Sequence, residues 1–141
     1  MTQVQLIRKF ATGITGKKIV IYRIHNNNWE LNMQNSIPRL GIPVNLKAND
    51  EIDKAFRRNF VRRCPLARGF SNATISILHE LGHYFTWYDF LEIEEEDEFT
   101  CHFDLPSEVA ATDWAIEWLQ NPENRKVAKA FEKEFFNYGN D

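Results

Sequence analysis

Residues 71–87 read SNATISILHELGHYFTW and contain the pentapeptide HELGH at positions 79–83. The stretch has no proline and one glycine, and its apolar residues surround much of a helix circumference, which is typical of a buried central helix. Ser71 or Asn72 suits the N-cap position, because a side-chain oxygen there accepts a backbone N–H. The apolar residues of this predicted helix are Ile75, Ile77, Leu78, Leu81 and Phe85.

The two histidines of the pentapeptide predict a metal site. Residues four apart lie on the same face of a helix, so the imidazoles of His79 and His83 can bind one metal ion. Glu80 lies one step round the helix and can act as a general base on a water at that metal. A hydrolytic zinc site needs three protein ligands, so one more ligand must come from elsewhere in the chain.

Gly82 interrupts this helix between the glutamate and the second histidine. A glycine in a helix interior costs about 1 kcal/mol relative to alanine. Close passage of another backbone element past the metal site would explain it, and so would an ordinary packing contact. The two explanations are equally compatible with the sequence.

Two residues are candidates for the third ligand. Glu108 follows His83 by 25 residues and stands in the first turn of the next predicted helix, where its carboxylate can complete a site of two histidines and one glutamate. His102 follows His83 by 19 residues, in a segment that alternates like an extended strand. We favour Glu108, although a glutamate in a first turn also suits the dipole of an ordinary helix.

Composition indicates one soluble domain over residues 1–141. Apolar residues make up 43% of the chain and charged residues 26%, which is ordinary for a globular protein. The N-terminus lacks the apolar region of a signal peptide, and no segment approaches the length of a membrane span. Cys64 and Cys101 form no close metal-binding pair, and we expect both to be reduced. These features predict a cytoplasmic protein with no membrane partner.

The charges are unevenly placed around the motif. The net charge of −3 does not suggest a nucleic-acid binder, and an ordinary solvated helix accounts for the arginines before the motif, so direct nucleic-acid binding is not expected. The acidic run after the motif is either a solvated loop or a surface that engages a basic partner. The arginines are Arg57, Arg58, Arg62, Arg63 and Arg68, and the acidic residues are Glu92, Glu94, Glu95, Glu96, Asp97 and Glu98.

The first half of the chain predicts a small sheet. After a short helix in residues 2–11 that ends by Gly13, residues 18–24 and 29–33 read as the two strands of a hairpin around an asparagine turn. Loop signals follow at Pro38, Gly41 and Pro43, and residues 44–46 are a candidate third strand.

The second half predicts helices. One begins at Asn49 or Asp50 and ends near Arg63, one begins near Pro106-Ser107, and one begins at Asn121-Pro122. The order indicates an α+β fold in which a small antiparallel sheet packs on the HExxH helix, followed by two further helices. The first of these helices has the apolar stripe Ile52, Phe56 and Phe60, and the last has the packing face Val127, Ala130, Phe131, Phe135 and Phe136.

HELGH followed by a helix reading Glu-x-x-Ala-x-x-Trp-Ala resembles the ImmA/IrrE-type metallopeptidases. The matching residues of that helix are Glu108, Ala111, Trp114 and Ala115. These enzymes are short gluzincin-like domains of bacteria, phages and mobile elements, whose corresponding helix typically reads Glu-x-x-Ala-Asn/Asp-x-Phe-Ala. The resemblance implies a minimal zincin-like fold with zinc as cofactor. It implies His79, His83 and Glu108 as zinc ligands and Glu80 as catalytic base.

The chain departs from this family pattern at Thr112, which stands where the family has Asn or Asp. That residue would orient a ligand histidine through a hydrogen bond, and Asp113 is turned about 100° away on a helix. The expectation is therefore a missing hydrogen bond, and losses of this kind cost about 10- to 100-fold in metal affinity or activity.

The expected function is zinc-dependent hydrolysis of a peptide bond. The resemblance implies limited cleavage of a regulatory protein, such as a transcriptional repressor, and the substrate strand is expected to pair with an edge of the sheet. Tyr84, Tyr88 and His102 are equally placed in the sequence to stabilise the oxyanion. The alternative is a non-catalytic or metal-stabilised binding protein of a mobile element that engages a host partner through its acidic segment 92–98.

Overall fold

The computed structural model describes residues 1–26, 28–47, 51–91 and 102–137, and of Ile52 and Phe103 it gives the backbone only. The described residues form an α+β fold with a three-stranded mixed sheet and five α-helices, which confirms the predicted class. In chain order the elements are α1 Gln3–Thr15, β1 Val20–Arg23, β2 Glu30–Gln34, β3 Ile37–Ile42, α2 Glu51–Arg63, α3 Asn72–Thr86, α4 Pro106–Gln120 and α5 Pro122–Asn137.

The HExxH helix α3 is the centre of the molecule, as predicted. Every residue from 73 to 82 is buried. Ser71 is the N-cap, and its hydroxyl accepts the backbone N–H of Thr74. The carboxylate of Glu132 on α5 accepts the backbone N–H and the hydroxyl of Ser71, at 2.6 and 3.0 Å, and also the hydroxyl of Thr74. The start of α3 is therefore held by its own cap and by a second helix.

Phe85, near the end of α3, is not buried as residues 73–82 of the same helix are. It was expected in the core, but it is 44% exposed and stacks on Trp114 of α4 with ring centroids 4.7 Å apart. The packing of the last turn of α3 is thus aromatic and partly open to solvent.

The sheet has a topology different from the expected hairpin. Its order is β1-β3-β2, with β1 parallel to β3 and β2 antiparallel to β3. The first two strands are therefore not paired with each other, the sheet is mixed instead of antiparallel, and the third strand lies at 37–42 instead of 44–46. Asn35 and Ser36 have φ of 52° and 65° and form the tight connection between β2 and β3. Two residues with positive φ match the twist of paired antiparallel strands.

Pro38 and Gly41 lie inside β3, although both were expected in a loop. Pro38 precedes the first residue of β3 that pairs with β1, so β1 needs no N–H from it. A Cβ at Gly41 would lie 2.8 Å from Cγ of Glu30 and 3.0 Å from Cζ of Tyr22. The glycine thus leaves room for the Tyr22 hydroxyl to donate to Glu30 across the strand, at 2.6 Å.

Two further expectations are revised, one at the end of α1 and one on the face of α5. Helix α1 runs through Gly13 and ends at Thr15, and its C-cap is Gly16, whose φ of 70° is the left-handed value that favours glycine at a helix end. Phe131 and Phe135 of α5 are buried as expected, whereas Val127, Ala130 and Phe136 are exposed. Helix α2 covers the predicted range, and the residues expected to cap it, Asn49 and Asp50, lie outside the described part of the chain.

Candidate metal centre

Helices α3 and α4 meet through their backbones at Gly82. A Cβ at this position would lie 2.2 Å from the carbonyl oxygen of Ala111 and 2.9 Å from its Cα. No side chain fits in that space, so the glycine permits a helix contact that any other residue would prevent. Of the two explanations that the sequence left equally open, the structure shows the close passage of another backbone element. The contact brings the first two turns of α4 beside the histidines of α3.

The three predicted ligands converge across this helix contact. Nε2 of His83 lies 2.5 Å from Oε2 of Glu108, and Nε2 of His79 lies 3.3 Å from Oε1 of the same carboxylate. The two imidazole centroids are 4.8 Å apart. His79 and Glu80 are buried, and His83 is nearly so. The structure therefore brings together two imidazole nitrogens and a carboxylate from residues far apart in the sequence.

The rival ligand, His102, lies at the same site. It begins a 3-10 helix, His102–Asp104, instead of the expected strand, and residues 99–101 lie outside the described part of the chain. Its Nε2 is 2.9 Å from Oε1 of Glu108. Its side chain is 56% exposed, whereas that of Glu108 is 14% exposed. Both candidates are thus in place, and the choice between them stays a prediction.

Thr112 supplies the hydrogen bond that was expected to be missing. Its Oγ1 lies 3.0 Å from Nδ1 of His79, in a buried position. A proton on Nδ1 donated to this hydroxyl leaves the Nε2 lone pair of His79 directed towards Glu108 and His83. Thr112 follows Glu108 by four residues and shares its helix face, so this role was readable from the spacing. Asp113 points elsewhere, as expected, and forms an ion pair with Arg63.

Glu80 occupies a buried position beside the imidazoles. Its Oε2 lies 3.8 Å from Nε2 of His79, and the backbone N–H of Leu31 on β2 donates to its carboxylate. Burial raises the pKa of Glu80 above its ordinary value, although His79 and His83 act in the opposite direction. A carboxylate with a raised pKa is better matched to proton transfer near neutral pH. The contact with Leu31 was not predictable, because a backbone donor has no side-chain signature.

The pKa of Glu108 is lowered, whereas that of Glu80 is raised. Burial acts to raise the pKa of Glu108, but the hydrogen bonds and charges of His79 and His83 outweigh burial, and the pKa lies well below its ordinary value. The carboxylate is therefore charged in the metal-free protein.

The donor set fits a zinc ion. Imidazole nitrogen and carboxylate oxygen are ordinary zinc ligands, and a site with three protein ligands leaves a position for water or substrate. One potential ligand atom from each of His79, Glu80 and His83 lies within 4.8 Å of the others. With Glu108 against both histidines, a cation bound here would have two imidazole nitrogens and one carboxylate within reach.

A cleft of about 700 Å³ opens beside this site. Glu80, Glu108 and His102 line it on the helical side, and Trp29 and Glu30 line it on the side of the sheet. Of the three candidates for oxyanion stabilisation, His102 faces this cleft. The ring of Tyr84 packs edge-on against Phe85, and Tyr88 is 69% exposed.

Two of the five arginines before the motif make contacts that join elements of the fold. Arg57 donates to the carbonyl oxygens of Phe70 and Arg68, at 2.6 and 3.1 Å, and so ties α2 to the segment that leads into α3. Arg63 forms an ion pair with Asp113 of α4, so Arg57 and Arg63 both have a structural role. The acidic residues 92–98 and Cys101 lie outside the described residues, while Cys64 is buried in the core.

No match to this chain is found among protein-family models, curated proteins or solved structures. The resemblance carried by HELGH and by residues 108–115 therefore stays a prediction. Among the residues that the structure describes, no helix has the length and apolar character needed to cross a membrane.

Proposed function

We propose that this protein is a zinc-dependent metallopeptidase with a minimal zincin-like fold. The observation that carries the proposal is the convergence of His79, His83 and Glu108 beside a buried glutamate at the wall of an open cleft. Two imidazoles four residues apart on a buried helix, with a carboxylate from a second helix, form a typical hydrolytic zinc site.

His79, His83 and Glu108 would hold the metal, and Glu80 would move the proton. Zinc in such a site supplies Lewis acidity, which polarises a carbonyl and lowers the pKa of water from 15.7 to about 7. The Glu80 carboxylate accepts a proton from the attacking water and passes it to the nitrogen of the leaving amine. Thr112 holds the ring of His79 in the orientation that this arrangement requires.

The sheet side of the cleft suits an extended peptide. Strand β2 is an edge strand, and its Leu31 N–H points away from β3 towards Glu80. A peptide that adds a strand to this edge would pass beside the catalytic carboxylate. The substrate class is thus a protein or peptide segment in extended conformation, and the resemblance suggests limited cleavage of a regulatory protein such as a repressor.

Metal content of the purified protein tests the site. We expect one zinc per chain in the wild type, a large loss in Glu108→Ala, and retention in His25→Ala, which removes an exposed histidine that does not line the cleft. His102→Ala should retain zinc at saturating metal. Loss of zinc in His102→Ala with retention in Glu108→Ala would reverse the assignment of the third ligand.

Hydrolysis of a peptide library by the zinc-loaded protein tests the chemistry. Glu80→Gln should keep its zinc and lose cleavage by a factor of about 100 or more, because it removes the general base. Equal cleavage by the wild type and Glu80→Gln would reject the peptidase. Zinc binding without any cleavage would instead favour a metal-stabilised binding protein.

A further inference from the structure

The carboxylate of Glu108 has neighbours of two kinds. His79 and His83 approach it from α3 inside the molecule, whereas His102 approaches from the solvent side with more than half of its side chain exposed. The two oxygens differ as well. Oε2 faces His83 at 2.5 Å, and Oε1 is shared between His79 at 3.3 Å and His102 at 2.9 Å.

The chain path accounts for the position of His102. The 3-10 helix is closed by the Leu105 N–H, which donates to the His102 carbonyl at 3.2 Å, and α4 begins one residue later at Pro106. This turn folds the imidazole back over the first turn of α4, where Glu108 stands. His102 therefore lies in the turn directly before α4, and Glu108 lies in the first turn of α4, so the two residues are held close together by one short stretch of chain.

Nε2 of His102 lies 2.9 Å from Oε1, within hydrogen-bond distance, and it approaches from the solvent side, whereas His79 and His83 project from the buried helix α3. The same hydrogen bond occupies one oxygen of Glu108 and leaves the other directed at His83. Groups that hold a ligand side chain in this way restrict its rotation and raise metal affinity.

We propose that His102 is a positioning residue of the metal centre, which holds Oε1 of Glu108 through its Nε2–H and keeps the carboxylate turned towards His79 and His83. The inference rests on the proposed function, because it assumes that these three residues hold zinc. Under this proposal His102 orients the ligand Glu108 and is not itself a metal ligand.

Zinc affinity, measured by competition with a chromophoric chelator, tests this role in the full-length protein. His102→Ala should weaken binding by about 10- to 100-fold, the range for loss of a group that orients a ligand. His102→Gln should recover most of the loss, because its side-chain amide donates a hydrogen bond but is a poor zinc ligand. His25→Ala is the matched control and should bind as the wild type does.

The absorption spectrum of the cobalt-substituted protein separates a positioning residue from a ligand. We expect the same band positions in the wild type, His102→Ala and His102→Gln, since the ligand set is unchanged. An altered spectrum, with His102→Gln as weak as His102→Ala, would make His102 a ligand and overturn the inference. Wild-type affinity in His102→Ala would overturn it as well.

The free energy of unfolding of the metal-free variants is the control for folding. It should be equal in the wild type, His102→Ala and His102→Gln, because the side chain is half exposed. Failure of the wild-type protein to bind zinc would reject the proposed function itself, and this outcome differs from a wild type that binds zinc with no dependence on residue 102.

Discussion

The α3–α4 pair contributes to the helical wall of the cleft and the sheet to the opposite wall, and the two differ in what the glycines behind their lining residues touch. On the helical wall, a Cβ at Gly82 would meet the backbone of Ala111. On the sheet wall, a Cβ at Gly41 would meet the side chains of Tyr22, Ile24 and Glu30. A side chain can rotate away from a new methyl group, whereas a helix backbone can move only as a unit. The helical wall is thus rigid where the proposed metal ligands lie, and the sheet wall is more adaptable.

This difference fits the roles proposed for the two walls, which are metal binding on the helical side and peptide binding on the sheet side. Metal ligands must be held within a fraction of an ångström of one geometry, and close backbone packing supplies that constraint. An edge strand that receives peptides needs only its backbone in the right place, so its side chains tolerate rearrangement.

The largest expected effect comes from Gly82→Ala. The added methyl group must push α4 away from α3, which should cost about 3 kcal/mol of unfolding free energy, at the upper end for overpacking. It should also abolish tight zinc binding, since Glu108 and Thr112 move with α4. Chemical denaturation and chelator competition measure the two effects.

Gly13→Ala is the matched control for that substitution. Gly13 also lies inside a helix, but nothing lies within 4 Å of its Cβ position, so alanine there should stabilise the protein by about 0.5–1 kcal/mol. Similar responses of the two variants would contradict the importance of the α3–α4 contact.

Thr112→Val should have the next largest effect. Valine keeps the shape of threonine but removes the acceptor for Nδ1 of His79, so zinc affinity should fall by about 10- to 100-fold. Thr112→Ser keeps the hydroxyl and should remain close to the wild type. If valine and serine bind zinc equally, the hydroxyl does not orient the ligand.

Glu80→Gln should stabilise the metal-free protein at neutral pH by about 1 kcal/mol, as expected when a buried functional charge is removed. Burial raises the pKa of Glu80 in the fold above its ordinary value of 4.5, so ionisation favours the unfolded chain. The difference from the wild type should be small below pH 4.5 and grow as the pH rises towards the raised pKa. Denaturation curves across this range measure it, and a difference that shrinks with rising pH would contradict the burial of the charge.

Gly41→Ala should have a smaller effect than Gly82→Ala and completes the comparison of the walls. The methyl group would meet the side chains of Tyr22, Ile24 and Glu30, which can shift more easily than a backbone, so the unfolding free energy should fall by about 1 kcal/mol, at the lower end for overpacking. Zinc affinity should not change. A loss as large as that of Gly82→Ala would show that the sheet wall is as rigid as the helical wall.

Helices were predictable where the signals were local. The cap at Ser71 and the junction at Asn121-Pro122 are correct, because capping depends on residues within one turn. The sheet was mispredicted because strand pairing depends on residues far apart. Pro38 and Gly41 act as loop signals in isolation. Pro38 is acceptable in β3 because no residue of β1 pairs with it, and Gly41 is favoured there because neighbouring side chains fill the space that a Cβ would need.

The sequence by itself determined the buried HExxH helix and the common face of its two imidazoles, because helix geometry depends only on neighbouring residues. It also gave Glu108 and His102 as rivals without showing that the two meet. Tertiary structure decided the rest. The contact of Gly82 with Ala111 sets which residues of α4 face the histidines, and the insertion of β3 between β1 and β2 leaves β2 as the edge beside Glu80. Both outcomes depend on packing between distant segments, which no local pattern encodes.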